Sequence, residues 1–225
     1  MFCKKCGVQI LDNAVACSSC NALVEGANPL ELAAEKVSAA SKDALQAFKL
    51  FVPNPVGGLS GAFESLGQKR AFGVGIIFGA VFALCVLFGV YRLLPEWVRP
   101  HGFTGFIKIL VVSVIPFISL FGATVVARMS FRGEGGFGHD SFISGAASLP
   151  FGCLVLLASI LGSGNIEVIA VLTLFATCLT ILMLFAGLTR ICKLSEQAAT
   201  IAVPLILLAS GWLSKIIYAA LLKEM

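Results

Sequence analysis

The sequence predicts an all-α polytopic membrane protein, and three observations predict it. Apolar residues make up 58% of the 225-residue chain and charged residues only 12%, about half the roughly 25% charge of a soluble domain. The apolar residues fall in long uninterrupted runs, which lifts the mean hydropathy to +0.98. Those runs are long enough to cross a bilayer, since a core of about 30 Å takes about 20 helical residues. The net charge of +4, from 16 basic and 12 acidic residues, is small and dispersed. Nucleic acid is therefore not an expected partner, and the lipid bilayer is.

Composition divides the chain into residues 1–27, which are rich in cysteine, a connecting segment 28–70, and a membrane-like part 71–225. The opening residues, Met1 to Asn13, hold two lysines and two cysteines and no apolar core of signal-peptide length, so the first apolar run is expected to remain as a span. Five transmembrane helices are predicted, at 71–91, 109–127, 141–161, 168–189 and about 198–222. The short loops make neighbouring spans antiparallel. Pro116, Pro150 and Pro204 are tolerated where neighbours satisfy the carbonyls they free. Gly75-x-x-x-Gly79 and the run Gly145, Ala146, Ala147, Ser148 with Gly152 allow close helix approach. They predict a packing seam within one chain, with a homo-oligomer face as the alternative use.

Cys3, Cys6, Cys17 and Cys20 read C-x2-C, ten residues, C-x2-C. Two-residue spacing lets both sulfurs of a pair reach one ion from a single tight turn, and two such turns complete a tetrahedron at about 2.3 Å per Zn–S bond. Gly7 follows the first pair, where a knuckle needs a positive φ, and Asn21, which next best tolerates it, follows the second. The expectation is a small N-terminal zinc ribbon holding one structural Zn2+, with disulfides or a redox iron site as the alternatives. All four positions are filled by protein, so no place is left for water or substrate. A ribbon of this size cannot bury enough surface to fold alone, and metal binding supplies its folding free energy. Its charges, Lys4, Lys5, Asp12 and Glu25, cancel. Its expected job is contact with a protein partner, through Val8, Ile10, Leu11 and Val15, unless these make its own small core.

Asn28-Pro29 reads as a cap followed by proline at the first helical position. Stepping 100° per residue, Leu30, Ala34, Val37, Ala44, Leu45, Phe48 and Val52 share one face, opposite Glu31, Glu35, Lys36, Lys42, Asp43 and Lys49. This predicts an amphipathic connecting helix that packs on the bilayer surface or on its own spans. Pro53 and Pro55 end it, and a short amphipathic segment from Ala62 to Lys69 leads into the first span.

Three features of the chain from Val52 to Leu222 carry a resemblance. One is the entry at Pro53 and Pro55 before Gly57-Gly58-Leu59. The second is the turn Gly133-Glu134-Gly135-Gly136-Phe137-Gly138, followed by Phe142-Ile143-Ser144-Gly145-Ala146-Ala147-Ser148-Leu149-Pro150. The third is the stretch from Phe185 to Ala199. In these the membrane part resembles the Yip family of five-span proteins, whose eukaryotic members associate with Rab GTPases in vesicle trafficking. A zinc ribbon ahead of such a domain looks like a prokaryotic arrangement. The resemblance implies a five-span bundle and no catalytic residues.

The residues themselves agree that an enzyme is not expected. The first four predicted spans hold no Asp, Glu, His, Lys or Arg, and Lys215 in the fifth can snorkel to the interface. Under this topology His101 and His139 lie on opposite sides of the membrane. His139, Asp140 and Glu134 read as a solvated loop, with a cation site as the lesser alternative. Arg128 and Arg132 read as anchors touching lipid headgroups. The glycine turn lacks the Lys-Ser/Thr ending of a P-loop. Cys85, Cys153 and Cys178 read as small hydrophobes, and Cys192 as an interfacial position open in principle to acylation. Thiolate ligands stay reduced most easily in cytosol, which places the N-terminus inside. The flanking basic residues, Lys69, Arg70, Arg128, Arg132, Arg190 and Lys193 against Arg92, Arg99, Lys108, Lys215 and Lys223, lean only slightly the same way. The expectation is a binding or organising protein of the prokaryotic cytoplasmic membrane. The rival reading is a transporter or channel component for a neutral or lipid-like solute, with Ser113, Ser119, Thr124, Thr173, Thr177 and Thr180 along its path.

Overall fold

A computed structural model describes residues 5–9, 19–20, 29–94, 99, 102–161 and 166–224. The chain divides into two compact units, Met1–Lys42 and Asp43–Met225. Among the described residues, six α-helices follow in order: α1 (Pro29–Phe51), α2 (Gly58–Leu93), α3 (Gly102–Ser130), α4 (Phe137–Leu161), α5 (Ile166–Ala186) and α6 (Glu196–Glu224). A π-helical turn, Gly187–Ile191, extends α5. The helices α2 to α6 are long and apolar enough to span a membrane, so all five predicted spans are present.

The helices begin earlier than hydropathy alone suggests. The amphipathic lead-in belongs to α2, which starts at Gly58 and breaks at Gly67, where φ is +69° and ψ is +162°. Only glycine reaches that conformation without steric cost. Before the break, Leu59, Ala62 and Leu66 are buried at helical spacing. Beyond it, Arg70 turns back and donates from Nε to the Leu66 carbonyl at 2.9 Å and from Nη2 to the Ser65 carbonyl at 3.1 Å. The interruption leaves carbonyls without helical partners, and the guanidinium supplies them. It also meets Asp43 Oδ1 at 3.5 Å.

α4 is the hub, packed against α2, α3 and α5. Phe142, Ile143, Ala146 and Ala147 are fully buried on it. The small-residue seam lies within the chain: a Cβ on Gly75 would collide with the Ser141 backbone, and one on Gly145 with the Gly75 carbonyl. Side-chain hydroxyls tie the helices together. Ser141 Oγ donates to the Phe72 carbonyl at 3.2 Å, and Ser144 Oγ lies 3.1 Å from Thr124 Oγ1. Thr180 Oγ1 donates to the Ala147 carbonyl at 2.9 Å. Pro116 sits inside α3 and removes the N–H that the carbonyl four residues earlier would accept. That carbonyl belongs to Val112, and the Tyr218 hydroxyl from α6 donates to it at 3.1 Å.

The connecting helix differs from its predicted face. In the membrane unit α1 buries Ala44, Ala47 and Phe51, and the Phe51 ring meets Phe78 edge-on at 5.6 Å. Leu45, Phe48 and Val52, expected on the packed face with Ala44, stay exposed. Ala44 and Ala47 allow a close helix approach, and Phe51 completes the buried face.

Candidate functional site

Of the four predicted zinc ligands, Cys6 and Cys20 are described; Cys3 and Cys17 lie outside the described residues, as do Asn21, Ile10, Leu11 and Val15. Lys5–Cys6 and Ser19–Cys20 are both turns. Gly7 takes a φ of +72°, with open space where a Cβ would stand. This is the left-handed backbone that a metal knuckle places directly after its second cysteine. Val8 beside it is exposed. Among the described residues, no three or more His, Cys, Asp or Glu side chains come together as a metal site, and those residues include only half of the cysteine quartet. The donor set of the sequence, four thiols in two C-x2-C pairs, fits a structural zinc ion chemically.

In the membrane unit the polar chemistry gathers at the α3–α4 turn, and the sequence reading needs correcting there. Asp140 is fully buried in the first turn of α4, rather than in a solvated loop, and Arg128 is buried in the last turn of α3, rather than spread on headgroups. Arg128 Nε lies 2.9 Å from each Asp140 carboxylate oxygen, and Nη1 donates to the Gly135 carbonyl at 3.1 Å. Helix α4 begins four residues before the predicted third span, and this added first turn carries the buried acid. A charge-assisted bond of this kind, one Nε–H shared by both carboxylate oxygens, pairs the two charges where water is scarce.

The glycine turn is shaped around that pair. Gly133 N–H donates to the Arg128 carbonyl at 2.8 Å and Glu134 N–H to the Cys192 carbonyl at 2.8 Å. The second bond joins the α3–α4 turn to the chain following the π-helical turn. A Cβ on Gly138 would meet the Gln68 carbonyl, so α4 enters in backbone contact with α2. His139 Nδ1 accepts the Gly136 N–H at 3.2 Å, and its ring lies 4.6 Å from that of Phe63. The imidazole closes the turn as a structural acceptor. Cys192 is fully buried beside this junction, and burial pushes its thiol up to about 12.

The arrangement neutralises a buried charge pair and fixes the turn around it. Opposite charges twelve residues apart, on either side of a glycine-rich turn, were the available sequence signal, because a tight helical hairpin brings such positions together. Several hydroxyls proposed to line a path bond their own helices instead. Ser113 donates to the Ile109 carbonyl, Thr124 to Leu120, Thr173 to Ile169 and Thr177 to Thr173. Ser119 Oγ is buried without a hydrogen-bond partner. No family model, no curated protein and no solved structure matches the chain.

Proposed function

We propose that this chain is a non-enzymatic, Yip-like membrane protein that presents an N-terminal zinc ribbon to a protein partner. Cys3, Cys6, Cys17 and Cys20 hold one structural Zn2+, and the ribbon faces the cytoplasm of a prokaryotic cell. The observation that carries the reading is the left-handed Gly7 directly after the Cys6 turn, together with the C-x2-C spacing. The exposed Val8 supports an outward-facing contact surface. In the membrane unit, the buried charges are spent on each other, which supports an organising role over proton-coupled chemistry. The family assignment rests on the sequence pattern.

The rival reading, passage of a neutral or lipid-like solute, draws less support, because most of the hydroxyls along the suggested path are engaged by carbonyls of their own helices. The deciding experiment is a cross-linked pull-down from native membranes with the wild type and Cys17→Ser. A defined partner lost in the variant supports the docking role. A partner retained without zinc overturns it, and solute flux in proteoliposomes carrying the purified chain would favour the rival.

A further inference from the structure

The outside of the membrane unit carries a long apolar groove between α4 and α5, with a volume of about 280 Å³. Its α4 wall runs from Ala146 to Leu157 and its α5 wall from Leu172 to Met183, about 17 Å along each helix at ~1.5 Å per residue. Phe48, Phe51, Val52 and Pro55, at and just beyond the end of α1, complete the lining. Alanines set the floor: Ala146 and Ala176 are buried where larger side chains would fill the space. The rims, Leu157 and Phe175, are exposed and continue into the outer surface of α5, the span least covered by the rest of the protein.

The surroundings select the occupant. The groove opens at its exposed rims, Leu157 and Phe175, on helices long and apolar enough to span a membrane, so hydrocarbon chains are the molecules beside it. Water has no reason to stay, since a buried water needs two to four polar partners and the lining offers only apolar side chains. Charge adds a head-group preference. Between Ala44 and Gly57, Lys49 is the one charged residue; it is exposed in the last turn of α1, flanked by the lining residues Phe48 and Val52.

We propose that the α4–α5 groove is a binding site for one acyl chain of a bilayer phospholipid, with Lys49 supplying the cation for its phosphate. A bound lipid would then bridge the end of α1 to α4 and α5. This site is independent of what the zinc ribbon does.

The test uses the full chain in liposomes of phosphatidylcholine and phosphatidylglycerol, doped with a phospholipid carrying a photoactivatable diazirine in one acyl chain. After illumination, adducts should concentrate on peptides covering 146–157 and 172–183, several-fold above peptides bearing the exposed Phe72 and Val111. Cys153→Trp, at an exposed lining position that tolerates a large side chain, should remove that enrichment without changing the melting temperature. Lys49→Gln should lower labelling about fivefold at low ionic strength and leave its position unchanged. Even labelling of all lipid-facing peptides, or enrichment that survives Cys153→Trp, overturns the site. So does cross-linking of Cys153 to a second copy of the chain in place of lipid.

Discussion

At the scale of single residues, the tightest constraint is the Arg128–Asp140 pair. Removing one member strands the other in a dry interior, which costs about 3–5 kcal/mol, whereas replacing both with apolar groups of similar volume is often close to neutral. Arg128→Gln and Asp140→Asn should each destabilise the detergent-solubilised protein by about that amount, and Arg128→Met with Asp140→Leu by much less. Denaturation midpoints measure this, and additive losses in the double variant would sink the coupling. Cys192 supplies a second, pH-dependent test. Burial first, and the Asp140 charge second, raise its pKa to about 12, against an opposing pull from Arg128. The folded state disfavours the thiolate, so this group's contribution to stability is complete below the unfolded thiol value of ~8.5 and falls as pH rises from there towards 12. Mass spectrometry after alkylation at pH 8 should find Cys192 unmodified in the native protein and modified once it is denatured. The pair was hard to read in advance, because neither residue differs in sequence from an ordinary interfacial charge; only the hairpin geometry brings them together. For the C-x2-C quartet the zinc reading rests on spacing, because Cys3 and Cys17 lie outside the described residues.

At the scale of helices, backbone defects are repaired by side chains from elsewhere. Pro116 frees the Val112 carbonyl and Tyr218 takes it up. Tyr218→Phe should cost about 0.6–1.7 kcal/mol, the usual range for a hydrogen bond between membrane helices. In a Pro116→Ala background, where an intrahelical N–H becomes available, the same change should cost almost nothing; an undiminished cost there would refute the repair. Gly67 is a second defect, positive in φ with open space around it. Gly67→Ala should therefore cost about 1–2 kcal/mol through the backbone alone, a loss visible in thermal melts. The spans themselves were legible because uninterrupted apolar runs have few other solutions. The face of α1 was only partly legible: periodicity separates polar from apolar, but two apolar surroundings are on offer here. Ala44, Ala47 and Phe51 are buried while Leu45 and Phe48 stay exposed, a distinction that hydropathy does not carry.

At the scale of the whole molecule, the chain is modular, and the modules answer to different forces. Zinc binding supplies the ribbon's folding free energy in this reading, while each span satisfies its own backbone. Cys17→Ser should abolish the one equivalent of zinc expected by atomic absorption and leave all five spans inserted, as read by protease protection; loss of insertion would end the modular view. Within the membrane unit, α4 has 61% of its apolar stretch covered by protein, against 22% for α5. During synthesis, α4 leaves the ribosome before α5 exists to cover it, carrying a carboxylate in its first turn. Arg128, made twelve residues earlier, is already waiting at the end of α3. The hairpin can thus enter the bilayer with this buried pair already neutralised, with α2 as its first neighbour, and the order of translation matches the order in which each helix finds its cover.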